Sequence, residues 1–167
     1  MMATHVFRAC CYASWATVAV AFGGCRQESV APLCQVTKLA NQEVAAVDKA
    51  LGNPASVVPI RESPSRRAGE YRQYALSVGA RVRVRFFQGK ATSFSFSLQP
   101  PARSAEAALR AIGLDAGALT VTDYQDTVKT WRGSADGIAF DGVTATTGQG
   151  GLSTWSTVDV MVQGAPE

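Results

Sequence analysis

The side chains that could perform acid–base chemistry in this chain are almost all carboxylates. The sequence of 167 residues holds a single histidine, His5, which lies close to the N-terminus. Histidine is the commonest general base and transition-metal ligand, so the rest of the chain has no Ser-His-Asp or Cys-His arrangement. Glycine-rich nucleotide loops and paired-cysteine metal motifs are also absent from the sequence. We therefore expect no cofactor, no metal ion and no enzymatic activity.

Two pairs of aspartates are the remaining candidates for chemistry. Asp123 and Asp126 are close in sequence, as are Asp136 and Asp141, each of which precedes a glycine. Paired carboxylates can hydrolyse glycosidic bonds or bind calcium, so a carboxylate-dependent hydrolase stays open as the least favoured function. The second pair lacks the ligand density of a calcium loop, and Asp-Gly is typical of turns. We favour turns on either side of a strand.

Cys25 follows a segment that has the features of a bacterial export signal. A cation, Arg8, precedes the uncharged stretch Ala9–Phe22. A helix of this length spans about 21 Å, which is shorter than a bilayer core and suits a signal peptide. The stretch ends in Phe22-Gly23-Gly24-Cys25, which resembles the lipobox of bacterial lipoproteins, with Phe22 where leucine is usual. The resemblance implies that Cys25 is lipidated and becomes the mature N-terminus.

This motif predicts how the chain is organised and where the protein resides. Arg26, rather than aspartate, follows Cys25, which in the enterobacterial sorting rule implies the outer membrane, facing the periplasm. An ordinary secretory signal and retention in the cytosol remain alternatives. With Cys25 lipidated, Cys34 would be the only cysteine of the mature chain with a free thiol, which is unreactive, paired between chains or reactive. The predicted segments are a signal peptide, a tether and a folded domain, at 1–24, 25–36 and 37–167.

A hairpin with strict alternation is the clearest structural signal. Arg81–Phe87 alternates arginine with apolar residues, Gln88–Lys90 has the composition of a tight turn, and Thr92–Leu98 alternates serine with apolar residues. Two antiparallel strands would therefore place six apolar side chains on one face. These are Val82, Val84, Phe86, Phe94, Phe96 and Leu98.

The opposite face of the hairpin is the main candidate binding surface. It would carry Arg81, Arg83 and Arg85 beside Ser93, Ser95 and Ser97. Such a basic, hydroxyl-rich face suits an acidic protein patch, a phosphate or an anionic glycan. The alternative is the ordinary solvated side of an amphipathic sheet. The formal net charge of +3 and the lack of any basic run argue against nucleic acid as a partner.

Trp155 is the second candidate for binding. If the valines at 158, 160 and 162 face inward, Trp155 and Asp159 lie on the opposite side of the last strand. An outward tryptophan is a typical binding hot spot, unless the loop at 133–137 covers it. Trp131 is expected in the core.

Two helices and several strands are needed to position these residues. Helices are predicted at Thr37–Leu51, ended by Gly52, and at Ala105–Ile112, capped by Ser104. Further strands are predicted at Val57–Ile60, Glu70–Leu76, Thr120–Tyr124, Thr127–Arg132, Ile138–Thr146 and Thr154–Gln163. The fold class is α+β, an antiparallel sheet with two helices packed on one face. The order is compatible with a duplicated helix-plus-meander unit, with halves 37–100 and 101–167.

The end of the first helix resembles a known family. Val47–Pro54, with Leu-Gly-Asn-Pro at its end, is similar to the helix ending of the SmpA/OmlA-type outer-membrane lipoproteins. The resemblance covers about residues 25–98 and places Arg81–Leu98 at the position of that family's hairpin. It implies an accessory role in β-barrel assembly. The duplication is similar, at the level of fold alone, to the tandem helix-plus-sheet units of β-lactamase inhibitor proteins.

Together these features favour binding over catalysis. The sequence predicts a lipid-anchored envelope protein that acts as a scaffold or assembly accessory. It would contact the membrane through its anchor and an envelope protein through its arginines. The alternative is a protein inhibitor or ligand-binding module that uses the sheet face or Trp155.

Overall fold

A single antiparallel sheet of eight strands dominates the computed structural model, which describes residues 31–62, 68–148 and 154–164. The strand order is β1-β2-β3-β4-β8-β7-β6-β5, so β4 and β8 pair at the centre and β1 and β5 form the edges. The strands are β1 Ser56–Ile60, β2 Gly69–Ala75, β3 Arg81–Phe87, β4 Lys90–Ala102, β5 Leu119–Gln125, β6 Val128–Ala135, β7 Ile138–Thr147 and β8 Trp155–Val162.

The predicted α+β class, with two helices layered on a sheet as a repeated unit, is wrong. Strands account for more than half of the described residues, and the helices are short. The helices are α1 Val36–Leu39, α2 Val44–Leu51 and α3 Ala105–Ala111, with 3₁₀ turns at Ser77–Gly79 and Ala116–Ala118. The structure is a mostly-β protein built on one continuous sheet.

The predicted helix Thr37–Leu51 is broken in its middle by backbone pairing with the β3–β4 hairpin. The Asn41 N–H donates to the Ala91 carbonyl, and the Ala91 N–H donates back to the Gln42 carbonyl. Asn41 adopts a positive φ of 61°, which no α-helix allows. Helical spacing of apolar residues favoured one helix because it carries no information about this long-range pairing.

The hairpin prediction is confirmed. Arg81, Arg83 and Arg85 lie opposite Ser97, Ser95 and Ser93 as predicted. The register shifts between Arg85 and Phe86, so Lys90 pairs with Phe87 and the turn is only Gln88 and Gly89, which have positive φ values of 49° and 76°. These angles fit the tight turn that two adjacent strands need. The predicted apolar residues are all buried, namely Val82, Val84, Phe86, Phe94, Phe96 and Leu98.

The core lies between the three helices and one face of the sheet. Leu33 and Val36 donate backbone hydrogen bonds to Ala111 and Ile112, so the described end of the predicted tether contacts the domain. The predicted signal peptide, Cys25 and the rest of the predicted tether lie outside the described residues. Burial raises the pKa of the Cys34 thiol to about 12, which favours its protonated form.

Charged residues on the helix side hold α2 and α3 to the sheet. Arg72 on β2 forms an ion pair of 2.7 Å with Asp48 on α2, and the buried Tyr74 hydroxyl donates to the same carboxylate at 2.8 Å. On the other half of the sheet, Lys129 pairs at 2.6 Å with Glu106 on α3. None of the helices in the described residues is long and apolar enough to cross a membrane.

A charged depression on the open face of the sheet

The face of the sheet opposite the helices carries polar residues in place of the core valines and phenylalanines. We call it the open face, because none of the described helices packs on it. Along β3 the exposed Arg81 and Arg83 and the half-buried Arg85 alternate with buried residues. They pair with serines on β4, and these six residues form the arginine–serine face. The pairs are Arg81–Ser97, Arg83–Ser95 and Arg85–Ser93.

Strand pairing extends this polar pattern across the centre of the sheet. Ser95 on β4 is paired with Asp159 on β8, and Asp159 is paired in turn with Thr144 on β7. Because neighbouring strands lie about 4.8 Å apart, the Cα atoms of Arg83 and Asp159 are roughly 10 Å apart. Guanidinium, hydroxyl and carboxylate therefore follow one another in a single row.

Tyr71 fixes the position of Arg83. The guanidinium carbon of Arg83 lies 5.3 Å from the centre of the Tyr71 ring on β2. A cation over an aromatic face is attracted by the ring quadrupole, so this contact restricts the side chain without neutralising its charge. Arg83 is thus held with its charge facing the open side.

A depression of about 540 Å³ lies at the centre of the open face. It receives side chains from six strands, β2, β3, β4, β6, β7 and β8. Its lining includes two cations, two carboxylates and four hydroxyls. The polar members are Tyr71, Arg83, Ser93, Ser95, Arg132, Asp141, Thr144 and Asp159.

A β-bulge in β7 opens one side of the depression. The register between β7 and β8 shifts between Phe140 and Gly142. A Cβ atom added to Gly142 would meet no heavy atom within 4 Å, so space remains above this position. The adjacent Asp141 accepts a hydrogen bond of 3.2 Å from the Gly164 N–H.

The four predicted aspartates do not share one site. Asp141 lines the depression, whereas Asp136 accepts a hydrogen bond of 2.8 Å from Thr37 and Asp123 accepts one of 3.3 Å from Gln125. The Asp136-Gly137 turn is confirmed between β6 and β7, but the second predicted turn is wrong, because Asp141 lies within β7. No three His, Cys, Asp or Glu side chains in the described ranges are grouped as metal ligands.

The outward position predicted for Trp155 is wrong. Trp155 is 8% exposed and belongs to the core, as does Trp131. The prediction assumed strict alternation along β8. The pairing of β8 is irregular before Thr157, so Trp155 turns to the same side as Val158. Trp131 in the core is confirmed.

Sequence reasoning missed the depression itself. It identified Arg83 and placed Asp159 outward, but nothing local in the sequence pairs β4 with β8. Tyr71 and Gly142 had no signal of their own, because their roles follow from the pairing of β2 with β3 and from the bulge in β7.

No protein-family profile matches the chain, and no curated protein matches it. Two solved structures resemble it weakly. An extracellular protein containing an SCP domain, from Bacillus anthracis, has a TM-score of 0.42 and 11% identity over 77% of this chain. A cysteine-rich secretory protein from Staphylococcus aureus has a TM-score of 0.44 and 9% identity over 80% of this chain. This chain spans about half of each, 46% and 48% of their lengths, and a likeness this weak identifies neither fold family nor function.

Proposed function

We propose that the protein is a lipid-anchored protein of the bacterial envelope that binds an acidic region of a partner protein through the arginine–serine face. In this proposal Cys25 carries the lipid and the sheet presents its open face away from the helices. The role is that of a scaffold or assembly accessory at the outer membrane, facing the periplasm, and it involves no catalysis by the protein.

The alternation of Arg81, Arg83 and Arg85 on a sheet face that none of the described helices covers carries this proposal. Arginine binds carboxylates with two parallel hydrogen bonds, and the neighbouring serine hydroxyls can donate further ones. On the helix side of the same sheet, by contrast, Arg72 is committed to Asp48 and Glu70. Arg81 and Arg83 are instead exposed on the open face, where a partner can reach them.

A ligand-binding or inhibitory module is the second candidate, and the depression supports it. Its volume of about 540 Å³ lies within the range of about 300–1,000 Å³ that is typical of ligand sites. Trp155 is in the core, so a ligand in the depression is not expected to quench its fluorescence by direct contact. A bound ligand should instead perturb the amide resonances of Ser95 and Thr144.

Recovery of the partner from native membranes tests the proposed function. The lipidated protein is expressed in its own cells with Arg81, Arg83 and Arg85 all changed to Ser, and co-purifying proteins are identified by mass spectrometry. The partner should be lost, because the carboxylate-binding groups are gone. The control changes three exposed arginines elsewhere to Ser and removes the same charge; these are Arg61, Arg103 and Arg110. Unchanged recovery with the first variant would contradict the proposal.

Labelling of living cells with palmitate tests the anchor separately. The wild-type protein should incorporate the label and sediment with membranes, because the lipobox cysteine is acylated. Cys25→Ser should abolish both properties, whereas Cys34→Ser should leave them unchanged. Labelling that survives Cys25→Ser would show that the anchor lies elsewhere.

A further inference from the structure

We propose that the charged depression binds a protruding loop of the partner protein that presents an acidic side chain to Arg83 and a basic side chain to Asp159. This inference rests on the proposed function and deepens it. It identifies the partner surface as one of mixed charge, where the arginines alone would suggest a uniformly acidic one.

The distribution of charge on the open face requires a partner of mixed charge. Arg83 on β3 and Arg132 on β6 line opposite sides of the depression, and Asp159 on β8 and Asp141 on β7 bring negative charge between them. A uniform polyanion that spans the depression would place its charges against these carboxylates, which is unfavourable. Nucleic acid, polyphosphate and an anionic membrane surface therefore fit worse than a protein surface with both signs.

The shape of the depression requires a protruding element. Gly142 leaves open space at its side, and the serine and threonine hydroxyls line its interior. A second copy of the open face would bring an identical concave surface to the same place, and both depressions would stay empty. A loop can enter the depression and replace the water that solvates its polar lining.

The spacing of the charges specifies the loop. Arg83 and Asp159 lie on strands separated by β4, roughly 10 Å apart at their Cα atoms. A loop advances at most about 3.3–3.6 Å per residue, so the two matching charges lie about three positions apart along it. Ser95 lies between Arg83 and Asp159 and can hydrogen-bond to the backbone of the loop.

Model peptides test the charge pattern with purified protein. Three blocked octapeptides carry Glu and Lys, two Glu, or two Lys at the third and sixth positions, with glycine elsewhere. Each is titrated into the ¹⁵N-labelled protein that lacks residues 1–26, and amide shifts are followed by NMR. The Glu-and-Lys peptide should give saturable shifts at Ser95, Thr144 and Asp159, with an affinity about threefold to fivefold higher than either other peptide. Shifts that are absent, or equal for all three, would overturn the proposal.

Charge-reversal variants show which residue recognises which charge. Asp159→Arg should shift the preference to the peptide with two Glu, and Arg83→Glu should shift it to the peptide with two Lys. Asp126→Arg is the control, because Asp126 is an exposed carboxylate that does not line the depression. Gly142→Leu should weaken all binding by filling the depression, without strain at a backbone position that is free of positive φ. If Asp159→Arg left the order of affinities for the three peptides unchanged, Asp159 would not be the residue that recognises the basic side chain.

The same variants separate this inference from the proposed function. If the native partner is lost on replacing the three arginines but is retained with Asp159→Arg and with Gly142→Leu, the arginine–serine face binds it and the mixed-charge loop is wrong. If Asp159→Arg also abolishes recovery while Asp126→Arg does not, both proposals are supported. Loss of binding in a variant counts only when its NMR spectrum outside the depression matches that of the wild type.

Discussion

The two faces of the sheet use charged residues in opposite ways. On the helix side, Arg72 and Lys129 form ion pairs with Asp48 and Glu106, which lie on the helices above them. On the open face, Arg83 rests on the Tyr71 ring and is paired across the strands with Ser95, a neutral residue. The same residue types therefore attach helices on one side and remain available to a partner on the other.

This difference shows why net charge is a poor guide to binding. Hydrogen bonds and opposite charge from Glu70 and Asp48 raise the pKa of Arg72 despite the desolvation that opposes this. Arg72 lies 5.9 Å from the Phe86 ring centre as well, but its ion pairs use its N–H donors, whereas the Tyr71 ring uses none of the N–H donors of Arg83. Whether an arginine is available to bind a partner thus depends on the residues that surround it in the fold.

The largest expected contrast between the faces lies at two consecutive residues of β4. Phe96 is fully buried and Ser95 points to the open face. Phe96→Ala should lower the free energy of unfolding by about 3–5 kcal/mol, because it leaves a cavity in the core. Ser95→Ala should change it by less than about 0.5 kcal/mol. Urea denaturation measures both, and similar losses for the two variants would refute the assignment of the faces.

The next largest effect is expected at the contact of α2 with the sheet. Asp48→Ala removes the acceptor of the buried Tyr74 hydroxyl and the partner of Arg72. Leaving such groups unsatisfied should cost about 1–3 kcal/mol of unfolding free energy. Asp159→Ala, at an exposed carboxylate of the open face, is the matched control and should have almost no effect. Thermal denaturation measures both variants. A larger drop in Tm for Asp159→Ala than for Asp48→Ala would contradict the difference between the two faces.

Alkaline pH should weaken the same contact through Tyr74. Burial raises the pKa of the Tyr74 phenol, and its hydrogen bond to Asp48 raises it further. A raised pKa means that this stability is complete below the unfolded value of about 10 and is lost as the pH rises above it. Tyr74→Phe should be about 1 kcal/mol less stable at neutral pH, and this difference should vanish above pH 10. A difference that persists there would contradict the assignment.

Local patterns in the sequence correctly predicted the hairpin. They gave wrong predictions where pairing between distant parts of the chain determines the structure. The alternation in Arg81–Phe87 specifies which side chains are buried, because a strand has a strict two-residue period. The break at Asn41 depends on the Ala91 backbone, which is fifty residues away and leaves no trace in helical spacing. The same limit applies to Trp155, whose direction is reversed by an irregularity in strand pairing.

The candidate site was predictable only in its basic half. Arg81, Arg83 and Arg85 could be placed together because they lie on one strand of a local hairpin. Asp159 joins them through the pairing of β4 with β8, which lies far along the chain and follows no local signal. The mixed charge of the depression therefore arises from the order of the strands in the sheet, and it cannot be predicted from any one strand.

The smallest expected effect is at the contact of α3 with the sheet, and acid should remove it. The hydrogen bond from Lys129 is the largest cause that lowers the pKa of Glu106. A lowered pKa means that the stability is present above the unfolded value of about 4.3 and is lost as the pH falls through the folded value. Glu106→Gln should therefore be less stable than the wild type at pH 7, and the two should converge below pH 4.

The size of this effect is limited by solvent, because the Glu106 side chain is 39% exposed. Partly exposed ion pairs contribute less than about 1 kcal/mol, and salt weakens them further. The difference at pH 7 should thus shrink in about 1 M NaCl. Glu43→Gln, at an exposed glutamate that precedes α2, is the control. If Glu106→Gln proved as costly as Asp48→Ala, the two halves of the helix side would be anchored equally. Asp48 would then not have the stronger role that its contacts with the buried Tyr74 and the half-buried Arg72 predict.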